Sequence, residues 1–144
     1  MGNMQSKYNQ INFEDMQHFI YNTDTTIIIN TLNQNEQTCL IKNTININDE
    51  VVIINENIDN NLNKNIIIYG KNYMDKSIYK KYDQLKSLYC QNIYIYSGGL
   101  FEWLTLQDIY GKENFPTNCI ELDILKYKPK SFFHQTKLLE KQSF

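Results

Sequence analysis

Residues 65–77 read NIIIYGKNYMDKS. Ile66, Ile67 and Ile68 form an unbroken β-branched run ending at Tyr69, the pattern of a parallel strand covered on both faces; a half-exposed strand would alternate apolar with polar residues. Gly70 then turns the chain, and the period changes. Ile78, Tyr82, Leu85 and Leu88 with Tyr89 recur at helical spacing behind Ser77, a good N-cap type, so a helix is predicted over residues 77–89. Residues 92–96 return as a strand, with IYIY at its centre. Strand, helix and strand joined this tightly make a right-handed parallel unit. The fold class is therefore α/β, a central, mainly parallel sheet flanked by helices. The loop at 70–76 then sits at the carboxyl end of an inner strand, where such sheets place their ligands.

Working outward, Ile11, Phe13, Met16, Phe19 and Ile20 put one apolar stripe on a short helix within residues 11–21, with Asn12 as its cap. A first strand follows at 26–30. Residues 39–47 are a connector ending in a second short strand, TINI, and residues 50–55 supply the apolar run VVII. The polar stretch 55–65 reads as a surface loop with a short helix around 58–62. Beyond the inner unit, SGGLFEWLTLQDIYG at 97–111 gives a glycine turn and another helix, closed by Gly111 and Pro116. Phe101, Trp103 and Leu104 are assigned to the core.

Three segments result: a flexible start at 1–10, one domain at 11–116, and an extension at 117–144 with the lysine-rich link YKPKS and a last helix over 131–141. The extension combines lysines with Phe132, Phe133, Leu138 and Leu139. We expect it to pack on the domain, the alternatives being a membrane or a partner surface.

The chain has 144 residues, a formal net charge of -2 and neither arginine nor alanine. One domain with a real core fits this length. The charge gives no basic field for nucleic acid, and without arginine there is no planar fork for two-point contact with an oxyanion. Cys39, Cys90 and Cys119 are widely spaced and lack a CxxC pair or a neighbouring histidine. That argues for a reducing compartment and against a disulfide framework or structural zinc. We expect no metal and no cofactor. The apolar runs are too short to cross a bilayer, and no signal peptide opens the chain, so a soluble, cytoplasmic protein is expected.

NIYIYSGGLFEW at 92–103 resembles the end of a rhodanese domain, where a strand leads into a double glycine and an aromatic-bearing helix. TTIIINTL at 25–32 and LIKNTINI at 40–47 match the earlier part of that pattern more loosely, so the resemblance covers roughly residues 11–103. It implies a single rhodanese-like domain. In active members the strand equivalent to residues 66–69 ends at a cysteine, whose loop wraps amide groups around the thiolate at a helix N-terminus. That arrangement lowers the thiol pKa and stabilises the bound persulfide. Gly70 stands at the equivalent position here, and residues 70–77 contain no cysteine. Shifting the alignment by one residue puts Lys71 there. The Asp and Arg that the resemblance implies on the first strand are replaced by Asn30 and Leu32.

The resemblance thus implies a catalytically inactive domain serving as a binding or scaffold module, with no catalytic residue. Its candidate loop is Gly70, Lys71, Asn72, Tyr73, Met74, Asp75, Lys76 and Ser77. Inward amides, a helix N-terminus, Lys71 and Lys76 would make a weak anion site, which Asp75 opposes; the alternative is a solvated turn. Tyr73 and Met74 are large apolar side chains at a loop tip and are candidates for contact with a protein partner. The three cysteines are expected to be small apolar packing residues, and His18 and His134 surface or packing residues. Alternative functions are an active thiosulfate sulfurtransferase or related phosphatase using another cysteine, or a structural component of a larger particle.

The opening MGNMQSK satisfies the N-myristoylation pattern at Gly2. A membrane surface is therefore a second expected partner.

Overall fold

The computed structural model describes residues 7–133. Its sheet has four parallel strands, β1 (Gln10–Ile11), β2 (Thr26–Asn30), β3 (Asn65–Tyr69) and β4 (Ile93–Tyr96), in the order β1-β4-β3-β2. β3 is an inner strand, as its unbroken apolar run predicts, and Ile66, Ile67 and Ile68 are fully buried. It pairs Ile67 with Ile28 on one side and Tyr94 on the other.

Four helices cover the two faces: α1 (Phe13–Phe19), α2 (Glu50–Asp59), α3 (Ser77–Ser87) and α4 (Gly99–Tyr110). Because side chains alternate across a strand, the isoleucines divide between two cores. Ile28 and Ile67 pack with Met16, Leu100, Trp103 and Leu104 of α1 and α4. Ile27, Ile29, Ile66 and Ile68 pack with Ile54, Ile78, Tyr82 and Leu85 of α2 and α3. Each such buried isoleucine contributes about 1.5–3 kcal/mol relative to exposure.

Several elements differ from the sequence reading. The first helix is shorter than residues 11–21, and the residues before it form β1, an edge strand pairing Gln10 with Ile95 and Ile11 with Tyr96. Asn12 explains the boundary. Its side chain accepts from the Asp15 amide while the Asp15 carboxylate accepts from the Asn12 amide, a capping box that starts α1 only at Phe13.

Residues 44–47 do not form a strand. Thr44 makes one parallel bridge to Ile28, and the chain then enters a 3-10 turn, Ile47–Asp49, in which the Asn48 amide donates to the Asn46 side chain. Residues 50–59 are helical where a loop was expected from 55. Ile54 and Asn57, one turn apart, are the buried positions, while Val51 and Val52 face solvent. The loop that follows is short because Asn61 and Asn63 turn the chain at φ 54 and φ 52, a region asparagine tolerates better than most residues.

Helix α3 starts at Ser77, but the cap residue is Lys76, and the helix stops at Ser87 instead of 89. Tyr89 leaves it with φ 67 and is 90% exposed, so Leu88 and Tyr89 are not part of the buried stripe.

The extension packs on the domain as far as it is described. Ile41 and Thr117 form an antiparallel bridge, and a 3-10 turn at Ile124–Tyr127 buries Tyr127. Phe132 and Phe133 are exposed. The remainder of the helix expected over 131–141 lies outside the described residues. Among those described, no helix is long and apolar enough to cross a membrane.

Candidate functional site

Parallel pairing of β2 with β3 brings their carboxyl ends together, with Asn30 opposite Tyr69. The chain continues that pairing for one step beyond the strands, as the Thr31 amide donates to the Tyr69 carbonyl. Thr31 therefore stands beside the loop at 70–76, and the N-terminus of α3 closes the third side.

At the centre of this arrangement lies the Asp75 carboxylate. One oxygen accepts from the Lys71 amide at 3.1 Å and the Thr31 hydroxyl at 3.3 Å; the other accepts from the Ser77 amide at 3.0 Å and the Ser77 hydroxyl at 2.5 Å. The loop wraps an anion, and the anion is its own side chain. Asp75 precedes the Lys76 cap, and a carboxylate that meets the first helical amide, Ser77, is also favoured by the positive end of the helix dipole. A Cβ added at Gly70 would come within 2.4 Å of an Asp75 carboxylate oxygen. Any side chain at position 70, a cysteine included, requires Asp75 to move.

Asn72 holds the other half of the loop. It is buried, accepts from the Met74 amide at 2.9 Å, and donates to the Tyr127 carbonyl at 2.9 Å. Gly99 packs directly underneath. Its φ is +71, and a Cβ there would lie 2.8 Å from the Gly70 carbonyl and 2.9 Å from the Asn72 nitrogen. This approach lets the Leu100 and Phe101 amides, at the start of α4, donate to the Gly70 and Lys71 carbonyls, both at 2.9 Å. The double glycine is thus where α4 docks on the loop.

Of the sequence-predicted residues, Gly70, Lys71, Asn72, Asp75 and Ser77 meet in this network. Lys76 is exposed and outside it. The Lys71 ammonium turns away to an ion pair with Glu36 at 2.6 Å. Tyr73 and Met74 are 66% and 52% exposed at the tip. Beside the tip opens a cleft of about 430 Å³ lined by Thr31, Leu32, Glu36, Lys71, Met74 and Lys130. Sequence reasoning missed Thr31, Glu36, Tyr127 and Lys130. Only Thr31 carried a usable signal, since adjacency of β2 and β3 in a parallel sheet places it next to the loop.

Asn30 and Leu32 are buried. Asn30 accepts from the Leu32 amide and exchanges hydrogen bonds with Gln37 at 3.0 and 2.8 Å, while Leu32 joins the core under α1 and α4. Both shape the turn after β2.

The cysteines lie elsewhere. Cys90 borders a hollow with Asn57, Asn63 and Lys64, at the amino ends of β3 and β4 and so across the sheet from the loop. Cys39 is 2% exposed. Burial pushes both thiols above their ordinary pKa, the opposite of what a nucleophilic thiolate needs. His18 lies on α1, 3.4 Å from the Asn22 amide nitrogen. His134 lies outside the described residues. Among the described residues no three His, Cys, Asp or Glu side chains are grouped to hold a metal ion.

Comparison with curated protein sequences gave no match. Among solved structures, an uncharacterized protein from Saccharomyces cerevisiae aligns with a TM-score of 0.51 at 16% identity, over 69% of this chain and 93% of that one. The Alr3790 protein from Anabaena sp. aligns with a TM-score of 0.49 at 15% identity, over 92% and 93% respectively. The first of these likenesses bears on the fold alone. The family profile of the rhodanese-like domain matches residues 13–106, which spans β2, β3 and β4, the loop and most of α4. With the sheet order, the loop at the end of β3 and the double glycine beneath it in view, this match shows that the chain belongs to the rhodanese-like domain family.

Proposed function

We propose that this domain is catalytically silent and works as a binding module, held at membranes through a lipid on Gly2. One observation carries the first part: the amide cradle after β3 is filled by the Asp75 carboxylate, and no thiol lies within residues 70–77. A sulfurtransferase needs a thiolate there as both nucleophile and sulfur carrier. A free anion would have to compete with a carboxylate that is already attached. The exposed pair Tyr73 and Met74, next to the cleft, is the surface we assign to a protein partner.

Purified protein should transfer sulfur from thiosulfate to cyanide, and hydrolyse aryl phosphates, no faster than the uncatalysed rate. Turnover that disappears in Cys39→Ser, Cys90→Ser or Cys119→Ser would contradict this reading and place the site at that thiol.

The lipid rests on the MGNMQSK motif, whose first six residues lie outside the described ones. A single myristoyl chain gives marginal, reversible binding, with K on the order of 10⁴ M⁻¹, so a second signal is required. Lys128 and Lys130 of the extension supply it; Lys126 is tied to Glu121, and Lys137 is beyond the described residues. In cells with the acyltransferase, Gly2→Ala should abolish the membrane-bound fraction and raised salt should reduce it. A mature chain that retains Met1 or starts with an unmodified Gly2 removes the tether.

A further inference from the structure

Cys39 and Cys119 are 80 residues apart in sequence, yet the fold brings them into contact. Ile41 and Thr117 form an antiparallel bridge, flanked by hydrogen bonds from the Lys42 amide to the Pro116 carbonyl at 3.1 Å and from the Asn118 amide to the Leu40 carbonyl at 3.0 Å. That pattern makes 41 and 117 a non-hydrogen-bonded pair. One step further along, the Asn118 side chain accepts from the Leu40 amide at 2.9 Å, and the chain bends at Cys39 and at Cys119 just beyond the bridge. Cys39 is buried in the core beneath α1 and α4 beside Leu40 and Ile41, and Cys119 packs half-buried against that core. The contact is direct. The Cys39 thiol donates to the Cys119 carbonyl at 3.4 Å, which places its sulfur within roughly 6 Å of the Cys119 Cα.

We propose that Cys39 and Cys119 are a site of reversible oxidation, closing to a disulfide that staples the C-terminal segment to the domain. Both are free thiols in this structure. The oxidant is a small disulfide of the glutathione class. Cys119, the more accessible of the two, attacks one sulfur of glutathione disulfide as a thiolate and expels a glutathione thiolate. Cys39 then gives up its proton and attacks the Cys119 sulfur, expelling the second glutathione. Two protein thiols and one glutathione disulfide become one protein disulfide and two glutathione thiols. Because burial holds the Cys39 thiol above its ordinary pKa, the second exchange accelerates as pH rises.

The staple has a consequence for the candidate site. Cys119 starts the segment that continues into Ile124–Tyr127 and Lys130, and this segment holds Asn72 through the Tyr127 carbonyl and lines the cleft with Lys130. Closing the disulfide fixes that wall. The crosslink also encloses most of the domain, a long loop for which the restriction of the unfolded chain is large.

The test is to incubate the full chain with glutathione disulfide and follow intact mass, peptide maps and thermal unfolding. The expected product has lost two hydrogens, yields a Cys39–Cys119 crosslinked peptide, unfolds on the order of 10 °C higher, and reverts with dithiothreitol. Cys119→Ser and Cys39→Ser should show neither crosslink nor shift. A chain that halts at a glutathione mixed disulfide on Cys119, or whose new bond takes in Cys90, overturns the proposal.

Discussion

Replacing Gly99 with alanine is expected to destabilise the fold by about 2–5 kcal/mol. Two effects combine. A non-glycine residue at φ +71 costs about 1–2 kcal/mol in backbone strain, and the added Cβ meets the backbone of Gly70 and Asn72 at 2.8 and 2.9 Å, which neither residue relieves by changing rotamer. Overpacking of that kind costs about 1–3 kcal/mol. It would also stretch the hydrogen bonds from Leu100 and Phe101 to the loop. Gly111→Ala separates the two effects, because Gly111 has φ +103 and a Cβ added there would meet nothing within 4 Å. It should lose only the strain, about 1–3 kcal/mol. Urea unfolding of both variants makes the comparison. Equal losses would mean that close approach to the loop is not what position 99 provides.

Asp75→Ala is expected to cost about 2–3 kcal/mol, far more than the roughly 0.5 kcal/mol typical of a surface substitution. Asp75 is only partly buried, but four donors converge on it. Its removal leaves the Lys71 and Ser77 amides without their acceptor and takes a favourable charge from the start of α3. Asp75→Asn should fall between, since one amide oxygen replaces two carboxylate oxygens. Hydrogen exchange gives the local readout: the Lys71 and Ser77 amides should lose protection in Asp75→Ala while those of β3 keep theirs. A variant as stable as the parent, with both amides still protected, would mean that Asp75 does not organise the loop.

How far the fold could be read in the sequence depended on how many neighbours each segment needed. Asn65–Tyr69 was legible because a parallel inner strand writes its burial as a continuous apolar run. Ser77–Ser87 was legible from its period, apart from its end, where the apolar Leu88 and Tyr89 continue the pattern although Tyr89 has left the helix with φ 67. Gln10–Ile11 was not legible. Two residues carry no period, and their strand exists because the Asn12 capping box delays α1 and the edge of β4 is open to them. Glu50–Asp59 was hidden by its β-branched residues and by an asparagine-rich second half that resembles a loop. The sequence pointed to the loop itself, since a strand, a glycine and a helix start are local features. It did not disclose that Asp75 turns inward, because that depends on Thr31, forty-four residues earlier. Glu36 and Lys130 reach the cleft through the turn after β2 and the C-terminal segment, contacts with no local signature.

Occupation of the amide cradle after β3 by Asp75 is tested most directly by thermal unfolding of the parent and Asp75→Ala across a sulfate titration at constant ionic strength, with chloride as the balancing salt. The parent should show no saturable response, because the Lys71 and Ser77 amides are already engaged. Asp75→Ala should start lower and recover part of the loss along a saturating curve as sulfate takes the place of the carboxylate. A saturable rise in the parent equal to that of the variant would show an open anion site and contradict the account.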